Sequence, residues 1–181
     1  MSDTFGSALW TLDYMLTLAS HGASGVNMET GINQLDFISP YSPIMDDQHG
    51  DYTAAPDYYG MLAFSSFSGG ERLAVDYDSA GLNATVYAVK RQGNAVVAIV
   101  NKDRRPAEAH ISAANQFRRT AVMRLTGPSL ASKSGGKFGD STVNAEGRWR
   151  AANAEPVRAK HGYSLRVPAA SAAIMTLYGN Q

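Results

Sequence analysis

The chain has 181 residues, a length that fits one domain, or one domain plus part of another, and excludes a large multidomain assembly. Apolar residues make up 44% and charged residues 18%, so a packed core is within reach and disorder is not expected. The absence of cysteine removes disulfide frameworks, thiolate zinc sites and cysteine nucleophiles together. The net charge of zero hides a sharp break: residues 1–70 hold no Lys or Arg and eight acids, a charge of −8, while residues 71–181 hold all 16 basic residues and the other eight acids, a charge of +8. Opposite halves are expected to attract one another. A nucleic-acid partner is not expected, because the basic residues form no dense run and have no stacking aromatics beside them. No stretch reaches 18 uninterrupted apolar residues, and the N-terminus lacks the basic stretch of a signal peptide, so neither a membrane partner nor export of the chain as written is expected.

In chain order, Ser2 or Asp3 is placed to cap a helix with Phe5, Leu9, Leu12 and Leu16 on one face and Gly22 past its end. Residues 24–28, short and apolar with glycines nearby, read as one buried strand. A long loop from Glu29 to Ala55 follows; loops of that length in compact domains are commonly functional. Pro56 suits the first turn of a second helix that runs to about Phe67, ended by Gly69-Gly70. From Leu73 the texture changes to short alternating runs between turn residues: 84–89, 95–100, 107–111, 120–125, 143–144, 164–167 and 172–178. Seven or eight short strands in about 110 residues predict a β-sandwich. The first 70 residues predict something different. A single strand between two helices cannot form a sheet, and the order of elements matches the last part of a (β/α)8 barrel, where the loop after each strand faces the active site.

Short segments carry a family resemblance. Ser2-Asp3-Thr4-Phe5 followed by Ala8-Leu9-Trp10, then Gly25-Val26-Asn27-Met28, Tyr41-Ser42-Pro43-Ile44 and Pro56-Asp57-Tyr58-Tyr59-Gly60, resemble the end of the catalytic barrel in glycoside hydrolase family 79, which includes β-glucuronidases and heparanase. Val100-Asn101-Lys102-Asp103, residues 125–130, Gly147-Arg148-Trp149 and residues 167–173 resemble its C-terminal β-sandwich. The resemblance implies a mainly β chain with a small α/β part: residues 1–70 form the final helix-strand-helix elements of an incomplete (β/α)8 barrel, and residues 71–181 form the C-terminal β-sandwich. It implies a retaining enzyme with two glutamates about 5 to 5.5 Å apart. Both precede the segment that this chain resembles, so the chain is expected to hold no catalytic residue and to be inactive alone. Complete relatives are often exported. The substrate partner is a carbohydrate, a uronic-acid glycoside, in the complete enzyme; no cofactor is implied, and self-association through exposed barrel edges is expected.

Two residues are singled out for substrate binding. Tyr41 resembles the tyrosine that helps bind the substrate carboxylate, and a phenol donates to a carboxylate without bringing charge. A neighbouring backbone N–H contributes in the family; Pro40 has none, leaving Tyr41 or Ser39 to supply it. Glu29 follows the last barrel strand. A lone Glu at a rim is ordinarily a solvated acid, and a carboxylate there would repel a uronate. Asp36, Asp46 and Asp47 lie in the same loop, whereas Glu71, Glu108, Glu146 and Glu155 fall in or near the sandwich, away from the barrel mouth. His21, His49, His110 and His161 have no ligand spacing, so no metal site is expected. Gly135-Gly136-Lys137 is read as a turn, Asn83-Ala84-Thr85 as a glycosylation sequon relevant only in a eukaryotic secretory setting, and Trp149 and Tyr178 as core residues. The alternative function is a stand-alone β-sandwich module for carbohydrate binding or assembly.

Overall fold

A computed structural model describes residues 3–32, 39–112, 117–158 and 162–179. Ser2, Asp36 and His161 lie outside them. The described chain is mainly β with a small helical part, and every ladder in it is antiparallel.

Helix α1 spans Phe5–Ser20 and buries Phe5, Ala8, Leu9, Leu12 and Leu16, the three- and four-residue spacing that puts a stripe on one face. Its N-cap is Thr4, not Asp3: Asp3 pairs with Lys133 instead, and the Thr4 carbonyl accepts from both the Ser7 N–H and the Ser7 hydroxyl at 2.8 Å. The end follows the glycine signal. Gly22, at φ 89°, donates to the Ala19 carbonyl and Ala23 to that of Leu18, a Schellman closure.

Residues 24–28 form no strand, against expectation, because no neighbouring chain among the described residues supplies partners for their backbone groups. The expected loop up to Ala55 contains a short hairpin, β1 (Ile44–Asp46) with β2 (Tyr52–Ala54). Three-residue strands are too short to show alternation, which is why the sequence concealed them. Helix α2 spans Pro56–Phe64 and continues as a 3₁₀ turn over Ser65–Phe67. It crosses α1 at Gly60, where an added Cβ would stand 2.3 Å from the Ala8 carbonyl oxygen and 2.9 Å from the Thr11 Cβ.

The remaining strands are β3 (Glu71–Leu73), β4 (Ala84–Arg91), β5 (Asn94–Asn101), β6 (Ala107–Ile111), β7 (Phe117–Thr126), β8 (Lys137–Phe138), β9 (Tyr163–Val167) and β10 (Ser171–Gly179). Six form one sheet in the order β3-β4-β5-β10-β7-β8, and β6 pairs with β9. The β4–β5 turn is the two-residue pair Gln92-Gly93, both at positive φ (49° and 78°), as a type I′ hairpin requires. Two-sided burial explains the unbroken apolar runs. Val96, Ala98 and Val100 of β5, with Ala172 and Ile174 of β10, join the core under α1 and α2; Ala95, Val97 and Ile99, with Ala173, Met175 and Leu177, face a second core containing Tyr163, Leu165 and Val167 of β9.

Three local expectations are corrected. Residues 143–144 form no strand; the Val143 N–H donates to the Tyr59 hydroxyl at 3.2 Å and Asn144 closes a turn with Arg148. Lys137, read as part of a turn, begins β8 instead, because Phe138 beside it is fully buried and stacks on Trp149 at 5.2 Å. Trp149 is half-buried with its indole N–H on the Phe138 carbonyl, and Tyr178 is half-buried beneath the Arg119 guanidinium rather than enclosed in the core.

The acidic and basic halves meet through specific pairs, Asp13–Lys102 and Asp3–Lys133. Asp13, on α1, accepts from the Lys102 ammonium, the Thr85 hydroxyl and the Tyr87 hydroxyl, the last at 2.7 Å. Burial opposes its ionisation, but these donors outweigh burial and hold its pKa below the ordinary value. A depressed carboxylate stabilises the fold above its unfolded pKa and loses that contribution as pH falls. Asp13→Asn is therefore expected to cost about 1 to 2 kcal/mol at pH 7 and much less at pH 3, read from urea midpoints. An equal cost at both pH values would contradict the ionic account.

Candidate functional site

An open cleft of about 680 Å³ lies between the first half of α1, residues 27–29, Tyr41, the start of α2 and the loop at 130–131. Each wall has a local cause. On α1, Trp10 and Tyr14 are four residues apart and therefore neighbours on one face. Their rings stack at 4.7 Å and 12° and remain 53% and 37% exposed. Thr4, Ser7 and Thr11 form the adjacent row. The loop wall is clamped by the start of α1: the Phe5 N–H donates to the Ser132 carbonyl at 2.7 Å and the Gly6 N–H to the Leu130 carbonyl at 2.9 Å, satisfying two donors that a helix start leaves unpaired.

The structure brings the two sequence-derived residues together. Glu29 and Tyr41 both line this cleft, Glu29 exposed and Tyr41 58% exposed. The Tyr41 N–H donates to the Ser39 hydroxyl at 3.3 Å, so it is already engaged. The other loop acids do different work: Asp46 accepts from the Gln48 N–H, and Asp47 from the His49 and Asp51 N–H groups, which shapes the β1–β2 turn.

Asp57 is the site residue that sequence reasoning missed. It stands in the first turn of α2, where an acid ordinarily complements the helix dipole in water. Here it is only 5% exposed and lines the cleft. Burial pushes its pKa up to about 6, against the opposing effect of its own and the Tyr58 backbone N–H groups. No ion pair to Asp57 occurs among the described residues. Nearby, Thr11 is fully buried, and its Oγ1 has no hydrogen-bond partner among them.

The remaining candidates are engaged elsewhere. Glu155 pairs with Arg124 at 3.0 Å and Glu108 with Arg166 at 3.7 Å, Glu71 lies on β3, and Glu146 is exposed in a turn. His21 contacts the Thr17 carbonyl, His110 the Ser164 hydroxyl, and His49 belongs to the hairpin turn. Among the described residues no three His, Asp or Glu side chains gather as a metal site, and no helix is long and apolar enough to cross a membrane. The cleft's chemistry is thus that of exposed aromatic faces, two carboxylates and a buried hydroxyl, with no Lys, Arg or His among its described lining residues.

No family profile matches the chain. A segment of 67 residues, 37% of the chain, is 40% identical to part of a β-glucuronidase from Neurospora crassa, and this stretch is 11% of that protein. Solved structures align over nearly all of the chain. A family GH30 endoxylanase from Clostridium papyrosolvens C71 matches 99% of it with a TM-score of 0.62 at 15% identity, and an α-L-arabinofuranosidase from Thermotoga maritima matches 94% with a TM-score of 0.64 at 12% identity. The chain spans 39% and 37% of those two proteins. At such identities the likeness concerns the fold: this chain has a glycoside hydrolase-like fold.

Proposed function

We propose that the chain is the C-terminal portion of a retaining glycoside hydrolase related to family 79, acting on β-glucuronides or related glycosides. Residues 1–70 supply the last barrel elements and residues 71–181 the β-sandwich. The observation that carries this reading is the meeting of Tyr41, Glu29 and the Trp10–Tyr14 stack in one cleft of a chain whose fold is hydrolase-like throughout. Aromatic faces suit the apolar face of a sugar ring, while carboxylate and phenol oxygens suit its hydroxyls. Tyr41 and Glu29 are the substrate contacts.

The chain alone is inactive in this reading. Retaining hydrolysis needs a carboxylate nucleophile and a proton donor held at one short separation, and a walled site to exclude water. Glu29 lies open to solvent, and the cleft that it lines is open.

A second reading, a stand-alone carbohydrate-binding module, is favoured by one observation: α1 and α2 bury their apolar faces on the six-stranded sheet of this chain itself. DNA sequence upstream of Met1 separates the two. The hydrolase reading expects an open frame that continues in phase through further barrel strands with two active-site glutamates; an in-frame stop codon immediately upstream of Met1 would overturn it.

A further inference from the structure

Taking the cleft as the site of a glucuronide, the reading proposed above, we propose that Asp57 is a further specificity-determining residue in it: its neutral carboxyl donates a hydrogen bond to the carboxylate of the sugar acid. A uronate needs hydrogen-bond donors, and the cleft has no Lys, Arg or His among its described lining residues. The donors it can offer without charge are hydroxyls, those of Tyr41 and Tyr14 among them, and a carboxyl that has kept its proton.

Asp57 has the position such a donor requires. It lines the cleft at the start of α2 and is 5% exposed, so water solvates an ionised carboxylate there poorly. Among the described residues the acids held in ion pairs are Asp3, Asp13, Asp103, Glu108 and Glu155, so no cation compensates Asp57. The one hydrogen bond that another described residue gives its side chain is from the Tyr58 N–H to Oδ1 at 3.1 Å, which leaves Oδ2 to carry the proton. Burial accordingly raises its pKa to about 6. A neutral carboxyl facing a carboxylate shares one proton between two oxygens, a short charge-assisted bond. Glu29 differs: it is exposed, so water screens its charge and leaves it to the ring hydroxyls.

The titratable groups that share the cleft with Asp57 are Glu29, Tyr14 and Tyr41; Thr4, Ser7 and Thr11 of the α1 wall and the loop at 130–131 add none, and Asp3, next to Thr4, is held by Lys133. A sugar carboxyl is itself ionised above about pH 4. The pair therefore forms between about pH 4 and pH 6 and is lost as pH rises through the Asp57 pKa, where two like charges would meet.

The test is isothermal titration calorimetry of the chain with methyl β-glucuronide and methyl β-glucoside at pH 5 and pH 7.5. With a pKa of about 6, Asp57 is roughly 90% neutral at pH 5 and roughly 3% neutral at pH 7.5. The glucuronide is therefore expected to bind about ten- to thirtyfold more tightly at pH 5, while the glucoside, which has no carboxylate, binds alike at both. Asp57→Asn has a permanently neutral donor in its carboxamide, so its glucuronide affinity should be the same at both pH values and exceed that of wild type at pH 7.5. A wild-type glucuronide affinity that does not change with pH, a parallel change for the glucoside, a pH dependence that persists in Asp57→Asn, or no binding of the glucuronide at pH 5 would each overturn the assignment. The wild-type comparison decides without the variant. None of these outcomes decides the hydrolase reading, which stands or falls on the frame upstream of Met1.

Discussion

Replacing Gly60 with alanine is expected to destabilise the protein by about 2 kcal/mol, although alanine is the better helix former. The helix-propensity gain is about 1 kcal/mol. Against it stands a Cβ placed 2.3 Å from the Ala8 carbonyl oxygen and 2.9 Å from the Thr11 Cβ, at the crossing of α1 and α2. The first obstacle is backbone, which a rotamer change cannot relieve, so the helices must separate, and overpacking of this kind costs about 1 to 3 kcal/mol or more. At roughly 2 to 4 °C per kcal/mol for a chain of this size, the melting temperature should fall by about 4 to 8 °C. The control is Gly25→Ala, where nothing lies within 4 Å of the added methyl, and no fall is expected there. Equal melting temperatures for the two variants, followed by circular dichroism, would show that the crossing tolerates separation. The consequence reaches the cleft, since Thr11 meets Gly60 at this crossing and also lines the cleft.

Asp57→Asn has the opposite expected sign. The Asp57 carboxyl has its pKa raised from 3.8 to about 6 by burial, so the folded state takes up a proton more readily than the unfolded one. Stability should therefore rise as pH falls from about 7 towards 4, and at neutral pH the ionised carboxyl opposes folding by on the order of 2 to 3 kcal/mol. Asparagine fills the same space, keeps an oxygen for the Tyr58 N–H and carries no charge. The variant is expected to be more stable than wild type at pH 7, and the gain should vanish near pH 4. Urea unfolding at the two pH values is the measurement; a variant less stable than wild type at both would mean that Asp57 has a partner in the fold. A buried charge retained at a cost to stability is the pattern expected of a functional position.

The sequence made the long elements legible because they are governed by local rules. Gly22 and the spacing of Leu9, Leu12 and Leu16 mark α1, Pro56 marks α2, and Gln92-Gly93 between alternating runs marks the β4–β5 hairpin. What remained hidden depends on distant partners. Residues 24–28 have strand composition but no neighbour to pair with among the described residues, whereas Lys137–Phe138 pairs only because Leu125 lies beside it. In the cleft, Tyr41 was visible through the family resemblance, and Glu29 only as the acid that follows the expected last strand. Asp57 was not, because an acid in the first turn of a helix reads as a solvated dipole partner, whereas the packing of the folded chain leaves it 5% exposed. Trp10 and Tyr14 show the same dependence. Their four-residue spacing predicts a stacked pair, but only the packing of α1 decides that this face is left exposed.

The central claim, that this chain contributes a sugar-binding cleft without a catalytic pair, is tested most directly by phenol release from an aryl β-glucuronide by the purified chain, with Glu29→Gln and Asp57→Asn alongside. The account predicts release no faster than in buffer for all three proteins. Turnover above buffer that disappears in either variant would contradict it, and would make that carboxylate a catalytic residue.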